Sequence, residues 1–369
     1  MKFLFVATVR SHIGQFHMPL IRALKAAGHT VHAAYRDNSA DKKGLDLSAI
    51  DRVFEVPFER NPYKPGNLLA YQKLKAILDN GDYDIIHCHT PMGAVITRLS
   101  AGRARKRGAK VFYTAHGFHF YRGASKLNWA LYYPVEKLLA HRTDTLITIN
   151  REDYDLALSR HFAAKRIVRI DGVGVELDRF RAVTEAERVA ARTELGFSQD
   201  QTVLLYAADL SKRKNQPMLF RALARQKERY PNILLLLPGQ PILKAEYKAQ
   251  CAELGISHMV RFLGYRRDID RLLAACDAVV SSSRQEGLPL NLIEAAARGR
   301  FIIATDVRGN ADVVRQSGSG VLVKLNDDEA MAAEIAKLCA SAPEAPDRKN
   351  IECYDSRAIV KTLFDLYGI

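Results

Sequence analysis

The sequence predicts an α/β protein of two doubly wound, Rossmann-like domains, each a parallel sheet covered by helices on both faces. Three observations predict it. Short apolar runs alternate with amphipathic helical patterns from end to end, the pattern of parallel strands joined by crossover helices. The whole alternation then occurs a second time. Finally, 369 residues exceed what one hydrophobic core ordinarily supports and suit two domains of common size.

In chain order, segments 3–7, 31–35, 85–87, 111–114, 145–149 and 167–170 read as strands. Helical patterns at 18–27, 68–78, 92–104 and 127–141 lie between them. The first run could pass for the start of a signal segment, but Arg10, Ser11 and His12 end it too early, and a first strand is the better reading. The second series has strands at 203–207, 233–237, 260–263, 278–281, 301–304 and 320–323, with helices at 217–228, 243–254 and 292–298. Continuous apolarity at 234–237 fits a strand covered on both faces. A Gly-Val-Gly turn near 172 places the boundary, giving domains 1–178 and 179–355. The segment 356–369 reads as a last helix that packs back on the first domain or stays with the second. In such folds ligands bind beyond the carboxyl ends of the strands, so the site is expected in the cleft between the domains.

Composition narrows the class. The five cysteines are scattered and form no Cys-x-x-Cys pair. This argues against a disulfide framework and a zinc site, and suits a reducing compartment. There is no apolar stretch long enough to span a membrane. The net charge of +14 is uneven: residues 1–180 carry 28 Lys and Arg against 17 Asp and Glu, and the remainder 27 against 24. Arg103, Arg105, Lys106, Arg107 and Lys110 form one cluster. It reads either as a solvated helix end or as attraction to an anionic membrane surface. No RNA- or DNA-reading motif accompanies the charge, so nucleic acid is not assigned as a partner.

The strongest chemical signal is Ser283-Arg284-Gln285-Glu286-Gly287-Leu288-Pro289-Leu290-Asn291-Leu292-Ile293-Glu294. A strand ends just before it, and a helix is expected from about Pro289, since proline suits a first helical turn. Gly299 ends that helix. Glu286 then lies in the loop, and Glu294 about 8 Å along the helix axis. Between them unpaired backbone N–H groups, at the positive end of the helix dipole, form an anion site. A sugar nucleoside diphosphate matches this layout. Its phosphates would meet the amides, and hydroxyls at its two ends would each donate to one carboxylate.

Two further motifs stand after strands. Ala207-Ala208-Asp209-Leu210-Ser211-Lys212-Arg213-Lys214 follows the first strand of the second domain; a lysine such as Lys214 would suit a leaving diphosphate, where charge develops as the glycosidic bond breaks. Tyr113-Thr114-Ala115-His116 puts His116 at a ligand-binding edge, with His119 and His89 as weaker candidates. The loop after the first strand offers Gly14. It lacks Gly-x-Gly-x-x-Gly, which counts against a nicotinamide-dependent enzyme. Asp268-Ile269-Asp270 reads as an exposed helix start, and no metal is implied.

These segments resemble family 4 glycosyltransferases, retaining enzymes of the GT-B fold, in their Glu-x7-Glu motif and in the order around it. That order includes Phe262-Leu263-Gly264-Tyr265 before, and Ala304-Thr305-Asp306-Val307-Arg308-Gly309 after. The resemblance covers almost the whole chain and is densest over 200–325. It implies that Glu286 holds donor-sugar hydroxyls, Glu294 holds the ribose, Lys214 grips the diphosphate, and His116 acts at the reaction centre. Asp209 stands where the family has an arginine; Arg213 is assigned the missing charge. The amides of Gly287, Leu288 and Leu290 would face the sugar and diphosphate, and Gly14, Tyr265 and Pro289 are counted with the substrate-binding residues. The aromatic stretch Phe118-His119-Phe120-Tyr121 and the helix after it resemble the capsule and exopolysaccharide branch. That branch implies a polyprenyl-diphosphate-linked acceptor and a peripheral place at the cytoplasmic face of the membrane. The resemblance as a whole implies transfer of a hexose or N-acetylhexosamine from a UDP-sugar with retention, without metal or other cofactor. A nucleotide-sugar epimerase of the same architecture is the alternative.

Overall fold

The computed structural model describes residues 1–40, 44–341 and 348–369. The chain divides into two compact units, Met1–Gly174 with Ser356–Ile369, and Val175–Asp355. The division lies just ahead of the expected 178/179 boundary because Val175, Leu177 and Phe180 are buried in the second unit's core.

The first unit holds strands β1 (Lys2–Val9), β2 (Thr30–Arg36), β3 (Arg52–Glu55), β4 (Ile85–His89), β5 (Lys110–Ala115), β6 (Thr145–Thr148) and β7 (Arg166–Arg169). They form one parallel sheet in the order β3-β2-β1-β4-β5-β6-β7. The second unit holds β8 (Thr202–Leu205), β9 (Ile233–Pro238), β10 (Val260–Gly264), β11 (Ala278–Ser281), β12 (Phe301–Thr305) and β13 (Gly320–Val323), in the parallel order β10-β9-β8-β11-β12-β13. Both orders step outward from the first strand and then jump across it. That creates a switch point between β1 and β4 in one unit and between β8 and β11 in the other, where neighbouring loops diverge and leave room for a ligand.

Burial explains why these segments are strands. Leu4, Val6, Ile85, Ile86, Val111 and Phe112 are almost fully buried, and so are Val203, Leu205, Leu234, Leu236, Val279 and Ile302. Removing such apolar surface from water on both faces is worth roughly 1.5–3 kcal/mol per large side chain. A polar residue every second position would forfeit that. The edge strand β3 is largely exposed and carries charge at both ends, Arg52 and Glu55.

The C-terminal helix Ser356–Tyr367 belongs to the first unit. Its Tyr367 packs edge-on against Phe3 and Phe112. The same ring places its hydroxyl 2.5 Å from His87 Nδ1 beneath the sheet's carboxyl edge. Two local readings change. The helix expected over 92–104 is two helices, Pro91–Ser100 and Gly102–Lys106. The segment after β1, expected as a loop, is the helix Arg10–Phe16.

Candidate functional site

In the second unit, the loops after β8 and β11 meet at the switch point. Arg284 N donates to Arg213 O at 2.9 Å. Ser282 Oγ donates to Lys214 O at 3.0 Å, and Tyr206 Oη lies 2.7 Å from Ser283 Oγ. These bonds fix the two loops to each other and aim Glu286 inward. Its carboxylate is buried and accepts from Lys214 Nζ at 2.5 Å, Arg213 Nη1 at 3.0 Å and Ser283 Oγ at 2.5 Å. Burial alone would raise its pKa. The two cations and the hydroxyl outweigh burial and hold the carboxyl below its ordinary range, so Glu286 is an anion at neutral pH.

The loop after β12 closes the other side. Arg308 Nε donates to Glu286 O at 2.9 Å. Gly309 has φ +79°, and a Cβ there would lie 2.4 Å from Gly287 O. Only glycine allows both that backbone and that approach. Gly239, with φ +155°, passes the β8 loop equally closely, where a Cβ would meet Ala208 O at 2.0 Å.

The helix carrying Glu294 runs Leu290–Ala297, with Pro289 as its N-cap in extended backbone at φ −80°, ψ 111°. Pro289 is therefore the residue before the helix rather than its first. The amides of Leu290 and Asn291 come first in the helix, ahead of the Leu292 N–H, which donates to Pro289 O at 3.1 Å. Glu294 is half-buried. Burial pushes its carboxyl up to about 7, aided by the Asp270 carboxylate and opposed by Arg179.

Asp209, which departs from the family pattern, has a local task. Its Oδ1 accepts from Gln240 N at 3.1 Å and ties the β8 loop to the β9 loop. A cation at that position would lose this bond. Arg213 instead brings a guanidinium beside Lys214, and 49% of its side chain remains exposed. Tyr265, 49% exposed, is in the turn after the edge strand β10. Asp268 pairs with Arg266, and Asp270 with Arg179 at 3.3 Å.

In the first unit, His116 follows β5 at the carboxyl edge. It is not alone. His12 Nε2 lies 3.2 Å from His116 Nε2, and His89 Nδ1 lies 3.3 Å from the same nitrogen. His17 stacks on His89 with ring centroids 3.8 Å apart. Burial lowers the pKa of His116 to about 4 and of His87 to about 3, and lowers His17 and His89 well below their usual value, so these rings are neutral at neutral pH. Thr90 holds the end of β4 in place at φ +63°, a backbone region rare for a β-branched residue, with its Oγ1 2.7 Å from Thr8 Oγ1. His119 stands elsewhere, stacked on Tyr132. Gly14 is inside the helix Arg10–Phe16, and a Cβ there would meet Leu45 Cδ1 at 3.0 Å. It is closely packed there, in a helix where the sequence suggested a loop. Of the histidines, sequence reading singled out His116, with His89 and His119 weaker. It missed His12 and His17 because nothing in their spacing reveals that β1 and β4 are neighbours.

The basic cluster is partly engaged. Arg105 pairs with Asp144 at 3.2 Å, and Arg107 donates to Leu78 O at 2.8 Å and Gly81 O at 3.1 Å. Among the described residues no helix is long and apolar enough to cross a membrane.

Comparison with known proteins shows the family. Residues 187–353 match the family model described as "Glycosyl transferases group 1", and residues 18–179 match "Glycosyltransferase Family 4". The chain is 42% identical over 337 residues to EpsD of Bacillus subtilis (strain 168), a protein assigned to the glycosyltransferases. That alignment spans 91% of this chain and 87% of the relative. It is 26% identical to the UDP-Gal:alpha-D-GlcNAc-diphosphoundecaprenol alpha-1,3-galactosyltransferase of Escherichia coli, over 78% of this chain and 74% of that one. Among solved structures it resembles Anabaena Alr3699/HepE in complex with UDP and glucose, with a TM-score of 0.78 at 21% identity, covering 100% and 99% of the two chains. The chain is thus a glycosyltransferase of GT-B fold and belongs to glycosyltransferase family 4.

Proposed function

We propose that this enzyme moves a hexose or N-acetylhexosamine from a UDP-sugar, with retention at the anomeric carbon, to a polyprenyl-diphosphate-linked glycan in surface polysaccharide assembly. One observation carries the donor reading: a buried, ionised Glu286 flanked by Lys214 and Arg213, next to a helix N-terminus that presents free amides. In this reading the diphosphate meets the amides around Gly287, Leu288 and Leu290 and draws on Lys214 and Arg213. Cations placed there stabilise the negative charge that develops on the leaving diphosphate as the glycosidic bond breaks. Glu286, relieved of its cations, accepts from sugar hydroxyls. Glu294 accepts from the ribose. His116 is assigned to the reaction from the first unit. No metal is assigned to the transfer step, because fixed cations and amides supply the countercharge.

The acceptor reading rests on what the Escherichia coli relative's name says of its substrate and on one surface feature. Along the helix Lys126–Ala140, Leu127, Leu131, Val135 and Leu138 are exposed by 65, 40, 40 and 67%. Their spacing puts them on one face, and Arg122, Lys126 and Arg160 lie exposed nearby in sequence or structure. An apolar stripe with basic residues suits a shallow seat in an anionic leaflet, where each basic group adds about 1 kcal/mol. With Arg105 and Arg107 already engaged, this face is a better membrane contact than the 103–110 cluster.

The test is a thermal-shift screen of UDP-, GDP- and ADP-sugars, followed by Glu294→Ala with the best of them. UDP-sugars should stabilise most, and the substitution should remove most of the shift. No shift with any nucleotide sugar would overturn the donor reading. Formation of a new free UDP-sugar without acceptor would favour an epimerase.

A further inference from the structure

We propose that His12, His17, His89 and His116 bind one divalent transition-metal ion of the zinc type at the carboxyl edge of the first sheet. One ring nitrogen from each of the four lies within 4.8 Å of one from every other. They come from distant parts of the chain, His12 and His17 beyond β1, His89 at the end of β4 and His116 beyond β5. The sequence expectation of no zinc site rested on the cysteines and does not reach this arrangement.

The two separations known at His116 Nε2 fit metal coordination. Nitrogens bound tetrahedrally at about 2.0–2.1 Å are separated by roughly 3.3–3.4 Å. His116 Nε2 lies 3.2 Å from His12 Nε2 and 3.3 Å from His89 Nδ1. An imidazole nitrogen carries either one proton or one in-plane lone pair, so His116 Nε2 cannot form well-directed hydrogen bonds to both neighbours. An ion beside His116 Nε2 would relieve this conflict.

Burial gives a second, independent observation. His17 Nε2 is buried with no hydrogen-bond partner among the described residues. Buried polar atoms are otherwise almost always satisfied. His87 offers the contrast. It sits beside His89, yet both its nitrogens are engaged, Nδ1 with Tyr367 Oη at 2.5 Å and Nε2 with Thr114 Oγ1 at 2.8 Å. It orders the rings around the site and is not a ligand. His12 and His116 are half-buried, which leaves the ion a way in from solvent. A donor set of imidazoles alone selects Zn²⁺, Co²⁺, Ni²⁺ or Cu²⁺ over Mg²⁺ or Ca²⁺.

Metal binding stands independently of the transferase reading, although His116 takes part in both. The experiment therefore reads metal on the resting enzyme with no sugar nucleotide present. An untagged full chain, stripped with chelator, is titrated with Zn²⁺ by calorimetry and with Co²⁺ by visible spectroscopy. The expected result is one ion per chain and the intense visible bands of four-coordinate Co²⁺. His12→Ala and His116→Ala should each weaken binding by roughly ten-fold or more. Substituting the exposed His258 of the second unit should leave it unchanged. Absence of saturable one-to-one binding would overturn the proposal. So would an affinity unchanged in both His12→Ala and His116→Ala.

Discussion

Glu294 allows the sharpest quantitative test of the donor site, because its environment sets an unusual titration. Burial raises its pKa from 4.5 to about 7. At about 1.36 kcal/mol per pH unit this difference corresponds to about 2–3 kcal/mol, after some discount for solvent screening of a half-buried group. The sign follows from which form the fold favours. The protonated acid is favoured, so the stability linked to it is complete below about pH 4.5 and is lost as pH rises through about 7. Glu294→Gln keeps the shape and stays neutral at every pH. Urea unfolding of both proteins at a series of pH values supplies the assay, read on the transition of the unit that carries Glu294. The difference between the two proteins cancels titrations they share. Wild type should fall behind Glu294→Gln by about 2–3 kcal/mol between about pH 4.5 and pH 8. In the same window UDP binding should strengthen with rising pH in wild type only, as the carboxylate becomes available to the ribose. Stability differences that stay constant with pH would refute the argument from burial.

Three further outcomes follow from single contacts. Lys214→Met leaves the buried Glu286 carboxylate short of a cation. It should cost roughly 2–4 kcal/mol by denaturant unfolding, with part of the loss recovered when Glu286→Gln is added. Gly309→Ala places a Cβ 2.4 Å from Gly287 O in left-handed backbone; it should destabilise by roughly 2–4 kcal/mol and weaken UDP binding by calorimetry. Replacing Leu127 and Leu138, both on the exposed stripe, with Asp should leave folding intact and reduce sedimentation with anionic lipid vesicles; unchanged sedimentation would remove this face from the membrane reading.

Much of the fold was legible because burial writes itself into the chain. Every strand-like run found by apolarity is a strand, and 278–281 and 320–323 match to the residue. β3 was missed because an exposed edge strand flanked by Arg52 and Glu55 carries no continuous apolar signal. The helix Arg10–Phe16 was missed for a related reason: Ser11, His12 and Gly14 are weak helix formers, and the segment is helical through burial of Ser11 and Ile13. At the donor site, the spacing of Glu286 and Glu294 was readable from one local segment. The clasp of Lys214 and Arg213 on Glu286 was not, since it joins loops after two different strands. The histidine cluster is the extreme case. Its members are unremarkable one by one, and only the order β2-β1-β4-β5 brings them together.

Supplying donor and acceptor together tests the proposed transfer most directly. Purified enzyme would be incubated with UDP-sugars and a synthetic N-acetylglucosaminyl-diphosphoryl-polyprenol. UDP release would be followed, and the configuration of the new glycosidic bond read by NMR. Acceptor-dependent release of UDP and a product that keeps the donor's anomeric configuration are expected. An inverted product would contradict the retaining mechanism, and turnover of UDP-sugar that ignores the acceptor would contradict the transfer itself.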